Sequence, residues 1–302
     1  MQEFLLGVVQ QSLIFSIAVM GIYISYEILK FADLSADGSF TLGASVSAIL
    51  IIKGVNPFIA LIFSMLAGAI AGAITGILNV KLKIQDILSS ILVMVGLYSI
   101  NLRIMGRANL PLFAEYNIFS KGNILFTIII LASISVVFFT LFYKTKLGYL
   151  LKGIGDNENM IISLGINTGA IKIFAISLSN AFIALSGGIL AQYQGFSDIN
   201  MGTGIMIMGL ASIIIGFNLF RKLNLANSSI LCILGTLIYR TSIALSLKIG
   251  FNPSDLKLIS SIIVIIALSL GSGKGMFKKK KILMEEKDKS ISKLKKVGSE
   301  NA

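Results

Sequence analysis

The sequence predicts an all-α integral membrane protein. About nine transmembrane helices, two of them short or broken, form inverted repeats on either side of a cytoplasmic coupling helix. Three observations predict this class. The first is composition: of 302 residues 55% are hydrophobic and only 13% charged, with a mean hydropathy of +0.89, whereas soluble domains carry roughly 25% charge. The second is a series of apolar runs of spanning length. The third is an echo between the two halves of the chain.

In chain order, runs long enough to cross, which for a helix means about 17–25 residues, fall at Leu5–Ile28, Phe58–Leu78, Ile87–Met105, Ile124–Phe142, Gly169–Tyr193, Ser229–Leu247 and Leu256–Leu270. Two shorter runs, Phe40–Ile52 and Gly204–Phe220, are led by glycine and polar residues and read as interrupted spans. The first run lacks a basic segment before it and a small-residue cleavage site after it, so it reads as a retained span. The transmembrane domain covers 1–275, with halves at about 5–143 and 169–272, and 276–302 is a basic cytoplasmic tail, expected to be disordered. Counting back from that tail puts Arg221, Lys222, the Lys144–Lys172 loop, Lys81, Lys83 and Lys30 on the inner side. A thinner set, Lys53, Arg103, Arg107, Lys121, Lys248 and Lys257, falls outside. The N-terminus is therefore expected outside and the C-terminus in the cytoplasm.

The halves repeat at a spacing of about 165–170 residues. Phe31-Ala32-Asp33-Leu34 before the first short run matches Phe196-Ser197-Asp198-Ile199 before the second, and Asp86 with Ser89-Ser90-Ile91 matches Asp255 with Ser260-Ser261-Ile262. An odd number of crossings between equivalent points inverts one half relative to the other, a transporter pattern in which broken helices meet near mid-membrane.

Several chemistries lose support. The chain has no histidine and a single cysteine, Cys232, which leaves no disulfide, no cysteine metal cluster and no histidine base or proton relay. The net charge of +12 reflects the tail and the inner-face lysines rather than nucleic-acid binding. Gly271-Ser272-Gly273-Lys274-Gly275 lacks the spacing and the Ser/Thr of a phosphate loop. Asp33, Ser35, Asp37 and Gly38 imitate the start of a calcium loop, but the twelfth position is Ala44.

Two polar stretches carry the functional expectations. In the first, Gly38 reads as a hinge in an unwound segment, with Ser39 or Thr41 capping the helix that follows and directing free N–H groups at an anionic ligand. Asp33, Asp37, Gly38, Ser39, Phe40, Thr41 and, in the second half, Asp198 are the candidate translocation-path residues. A carboxylate at mid-span costs about 2.5–3.5 kcal/mol, so Asp33 and Asp37 face a cavity, a neighbouring chain or the cytoplasmic surface, or else cap a surface turn. The second stretch, Lys144 to Lys172, is too charged for hydrocarbon and too short for a soluble domain. It reads as a helix-containing loop lying on one membrane face, gripped there by a motor protein. Gly68, Gly72 and Gly76 form a small-residue ridge for close helix packing, inside the subunit or at a dimer seam. Arg240 either snorkels outward or lines the path as a counter-charge.

With D-L-S-A-D-G-S-F-T-L-G-A at Asp33–Ala44 and G-I-G-D-N-E-N-M-I-I-S-L-G-I-N at Gly153–Asn167, the chain resembles an ABC importer permease. The resemblance, from Leu5 to about Gly275, is to the superfamily of the branched-chain amino acid and ribose permeases, and within it to tryptophan or tyrosine uptake permeases. It implies a bacterial plasma-membrane permease that imports a small solute, an aromatic amino acid foremost, without a catalytic site of its own. The implied partners are a cytoplasmic ABC ATPase dimer that binds the ATP and Mg, an extracellular solute-binding lipoprotein, and a second permease copy in a homodimer. The coupling positions it implies are Gly155, Asp156, Asn157, Glu158, Gly165, Ile166 and Asn167. At Glu158–Met160 the chain departs from relatives that have a proline or an alanine-rich helix start. The competing expectation is an ion-coupled secondary transporter or channel with Asp33, Asp37 and Asp198 as ion ligands.

Overall fold

A helix of 27 residues, α7 (Thr168–Gln194), is the post around which the other helices pack. Its serines, small residues and amides explain why. In a membrane apolar burial does not drive helices together, so close approach of small residues and interhelical hydrogen bonds must. Ser177 Oγ donates to the Ala69 carbonyl at 2.7 Å, Ser179 Oγ to Gly21 at 2.8 Å and Ser186 Oγ to Ile14 at 2.8 Å. Gln192 Nε2 donates to Ser47 Oγ at 3.0 Å. A computed structural model describes residues 2–112, 116–120, 122–220, 228–250, 255 and 258–265. The 276–302 tail, the 271–275 glycine segment, Arg221, Lys222, Lys121, Lys257 and much of the last expected span lie outside the described residues.

Around α7 stand α1 (Gln2–Ile22), prolonged by a π-helical turn at Tyr23–Ile28, then α2 (Ser35–Ile52) and α3 (Pro57–Val80). The pairings Gly21–Ser179 and Ile14–Ser186 run α1 antiparallel to α7, while Ser35–Asn180 and Ser47–Gln192 run α2 parallel to it. The glycine ridge is spent here. A Cβ on Gly68 would strike Asn180 and Ala184, and one on Gly72 would strike Ile176, so the ridge seats α3 on α7 inside the subunit and is not a dimer seam. Gly43 lies as tightly against Ala184, and Gly187 against the Phe40 carbonyl. Next come α4 (Asp86–Met105), α5 (Ile124–Tyr143), the polar helix α6 (Lys146–Ser163), α8 (Ile205–Phe220), α9 (Ser228–Ile249) and a helical stretch at 258–265. A short antiparallel ribbon joins β1 (Asn109–Pro111) to β2 (Phe196–Asp198), with Asn109 opposite Asp198.

Among the described residues seven helices are long and apolar enough to cross a membrane, and α8 is apolar but only 16 residues long. Large apolar side chains on α3 and α5, including Phe63, Ile70, Phe126 and Ile134, stay exposed, as lipid-facing residues must. The order long helix, short helix, long helix occurs twice, as α1–α2–α3 and α7–α8–α9. Five spanning helices, α1 to α5, precede α7, so the second set is inverted relative to the first.

Candidate functional site

The midpoint of the fold is where α2 and α8 begin. After the π-helical turn, Lys30 takes a left-handed conformation (φ 59°) and turns the chain back into the protein. Asp33 then accepts from the Ser35 N–H at 2.9 Å and from the Ser35 hydroxyl, starting α2 well inside the subunit. The other Asp33 oxygen accepts from Asn180 Nδ2 at 2.6 Å, and Thr75 Oγ1 donates to Ser35 Oγ at 3.1 Å. Asp33 is wholly buried. It has no exposed surface and knots α2, α3 and α7 together.

Gly38 is a buried residue of a regular α-helix, and α2 starts at Ser35. The expected hinge at Gly38 and the caps from Ser39 and Thr41 are therefore corrected. Gly38 is small because Leu97 and Met94 of α4 pack where its Cβ would stand. Ser39 is buried with its hydroxyl oxygen unpartnered, and Phe40 is buried and stacked on Phe15 at 5.7 Å. Free helix-start N–H groups do exist here, but at α8. Asp37 Oδ2 accepts from Gly204 N–H at 2.8 Å, Asp37 Oδ1 from Met206 N–H at 2.9 Å, and Thr41 Oγ1 from Gly202 N–H at 3.0 Å. The protein supplies its own anion to the dipole of α8, and the two interrupted spans are locked to each other.

Two cavities flank this junction. One, of about 410 Å³, is lined by Asp37, Gly38, Thr41, Tyr98, Asn101 and Asn200 among others. Asn101 Nδ2 donates to the Gly38 carbonyl at 3.2 Å, while its buried oxygen has no partner. The second, of about 400 Å³, holds Gln11, Phe15, Gln194, Asp198, Asn200 and Arg240. The Arg240 guanidinium stacks 3.9 Å over the Phe15 ring and donates to Gln11 Oε1 at 3.1 Å. Of the expected path residues, Asp37, Gly38, Thr41 and Asp198 border these cavities; Asp33, Ser39 and Phe40 do not.

The 144–168 stretch is more structured than one short helix. α6 is two helices merged at Asn157, whose φ/ψ of −157°/94° is extended. Asn157 Oδ1 accepts from Met160 N–H at 3.2 Å and so restarts the helix. Ile161 reaches back over Gly153, where a Cβ would stand 2.8 Å from it. Gly155 is pressed against the Ile28 carbonyl at the end of the π-helical turn, and a Cβ there would collide with that oxygen. Leu151, Ile154 and Ile161 face inward, whereas Asp156, Met160, Ile162 and Leu164 are exposed. Gly165 is left-handed at φ 75°, Ile166 is half-buried, and Asn167 caps α7 by accepting from Ala170 N–H at 3.1 Å.

Glu158 pairs with Lys172 at 2.6 Å, tying the second half of α6 to α7. The Lys172 hydrogen bond holds the Glu158 carboxyl below the ordinary glutamate range. A depressed acid pKa means that this tie is present above the unfolded value of about 4.3 and is lost as pH falls through the lower folded value. The pair is partly exposed, so Glu158→Gln is expected to destabilise by under about 1 kcal/mol. Melting curves of variant and parent should differ at neutral pH and converge in acid; a constant difference would contradict the pairing.

The family model described as branched-chain amino acid transport system / permease component matches residues 4–269. The chain belongs to this permease family. It is similar to the tyrosine transport system permease protein of Clostridioides difficile, with 48% identity over 270 residues, 89% of this chain and 91% of the relative. It is also similar to the galactofuranose transporter permease protein of Escherichia coli, at 26% identity over 80% of this chain and 71% of the relative. Among solved structures it shares the fold of PsaBC from Streptococcus pneumoniae in complex with Fab, with a TM-score of 0.51 at 14% identity, covering 86% of this chain and 89% of that one. Membership makes this chain a multi-pass membrane permease, a transport subunit rather than an enzyme.

Proposed function

We propose that this permease is the membrane subunit of an ATP-binding cassette importer for an amino acid, with aromatic amino acids favoured. The observation that carries the reading is the docking of α6: Gly155 sits against Ile28 while Asp156, Met160, Ile162 and Leu164 remain exposed. A surface helix joined rigidly to the end of a spanning helix transmits a push into the bundle. A cytoplasmic ATPase dimer, which binds ATP and Mg, supplies the push through Gly155–Glu158 and Gly165–Asn167. The substrate class follows from the 48% identical relative named for tyrosine transport. An extracellular binding protein hands over the solute, two copies of this chain form the pore, and the solute crosses at the α2–α8 junction. The N-terminus lies outside and the C-terminus inside the plasma membrane of a bacterium.

The ion-coupled alternative relies on Asp33, Asp37 and Asp198 as ligands, yet the first two are engaged by protein donors. Reconstitution with a partner ATPase and a binding protein separates the two. Labelled tyrosine uptake should require ATP and survive collapse of the ion gradients. Uptake that continues without ATP and stops with the gradient would sink the importer reading.

A further inference from the structure

The cavity between α1, α7, β2 and α9 contains two opposite charges that are not spent on each other. Arg240, on an apolar helix, makes no ion pair of the kind seen at Lys30–Glu27 and Lys172–Glu158 with any described residue. Its Nη2 is used on Gln11 and its face on Phe15, but its Nε is buried without a partner. A guanidinium has five N–H donors in a fixed fork that matches a carboxylate, and a cation held among spanning helices calls for an anion. Asp198 borders the same cavity. Its two oxygens are steadied by Asn109 Nδ2 at 3.2 Å and Asn200 N–H at 2.9 Å, and each oxygen keeps a lone pair for another donor. The remaining wall includes Phe15, Leu190 and Met201, and the volume of about 400 Å³ suits a small molecule.

We propose that this cavity is a recognition site for a zwitterionic α-amino acid. Arg240 binds the carboxylate, Asp198 binds the ammonium, and the apolar wall receives the side chain. The assignment rests on the importer reading for the choice of amino acid, and on the unspent charge pair for the site. A sugar offers neither charge.

The test is binding of labelled tyrosine to the full chain with its ATPase, in nanodiscs of phosphatidylglycerol, with no binding protein present. This lipid lacks an ammonium, so a lipid headgroup cannot supply both charges; adding phosphatidylethanolamine tests that headgroup as competitor. Tyrosine should bind, while tyramine, which lacks the carboxylate, and 3-(4-hydroxyphenyl)propionate, which lacks the ammonium, should compete at least about tenfold less well. Arg240→Gln should weaken binding roughly 10- to 100-fold and Arg240→Lys less. Asp198→Asn should erase the discrimination against the propionate. Equal competition by either analogue on the unaltered protein overturns the site without any variant. So does unchanged affinity in Arg240→Gln, or displacement of tyrosine by phosphatidylethanolamine alone. ATPase co-purification and ATP-driven uptake by the same preparation report separately on the importer reading.

Discussion

Gly155→Val is expected to leave an assembled permease in the membrane with its uptake nearly abolished. The Cβ of any residue at 155 is driven into the Ile28 carbonyl oxygen, and valine adds two methyl groups to the conflict. Overpacking of this kind costs about 1–3 kcal/mol. If α6 relieves it by lifting off the π-helical turn, the docked population falls roughly 5- to 150-fold. The bundle itself, held by α7, is untouched. Uptake per ATP hydrolysed should therefore collapse while detergent-solubilised protein remains monodisperse. Gly165→Ala is the matched comparison. Gly165 has nothing near its Cβ position and only its φ of 75° to defend, so alanine should strain the backbone by about 1–2 kcal/mol and leave the Gly155 contact in place. Uptake in Gly155→Val equal to that in Gly165→Ala would refute the transmission path.

Asp37→Ala should be the most destabilising single change at the half-helix junction. It removes the acceptor of the Gly204 and Met206 N–H groups. Charge-assisted bonds contribute about 1.5–3 kcal/mol each. A loss of about 3 kcal/mol or more follows, with α8 released from α2. Asp37→Asn keeps one acceptor but turns an N–H₂ towards the second donor, so it should fall between alanine and the parent. Thermal unfolding in detergent and tyrosine uptake measured together would check this order. An alanine variant that melts with the parent and transports normally would show that Asp37 does not hold the junction.

The regular part of the fold was legible because hydrocarbon imposes a simple length rule. Run Leu5–Ile28 became α1 with its π-helical turn, and Gly169–Tyr193 became α7 nearly to the residue. The short runs Phe40–Ile52 and Gly204–Phe220 marked α2 and α8, and the repeated element order agrees with the echo of Phe31–Leu34 in Phe196–Ile199. Spacing alone could not tell what each polar residue touches. Asp33 and Asp37 are four residues apart and looked alike, yet one knots three helices and the other caps a helix 167 positions later. A proline or glycine break would have revealed the kink at Asn157; an asparagine whose side chain restarts the helix gives no such signal.

By itself the sequence determined that this chain lives in a membrane, where its spans are interrupted and which stretch must stay in water. Those follow from the transfer of side chains and backbone out of water, which is local and additive along the chain. Only the tertiary structure decided that the glycine ridge faces α7, that Asp37 belongs to α8, that Gly155 meets Ile28 and that Arg240 shares a cavity with Asp198. Such pairings depend on which helices become neighbours, and apolar helices in lipid are chosen by close packing and a few hydrogen bonds rather than by their hydrophobicity.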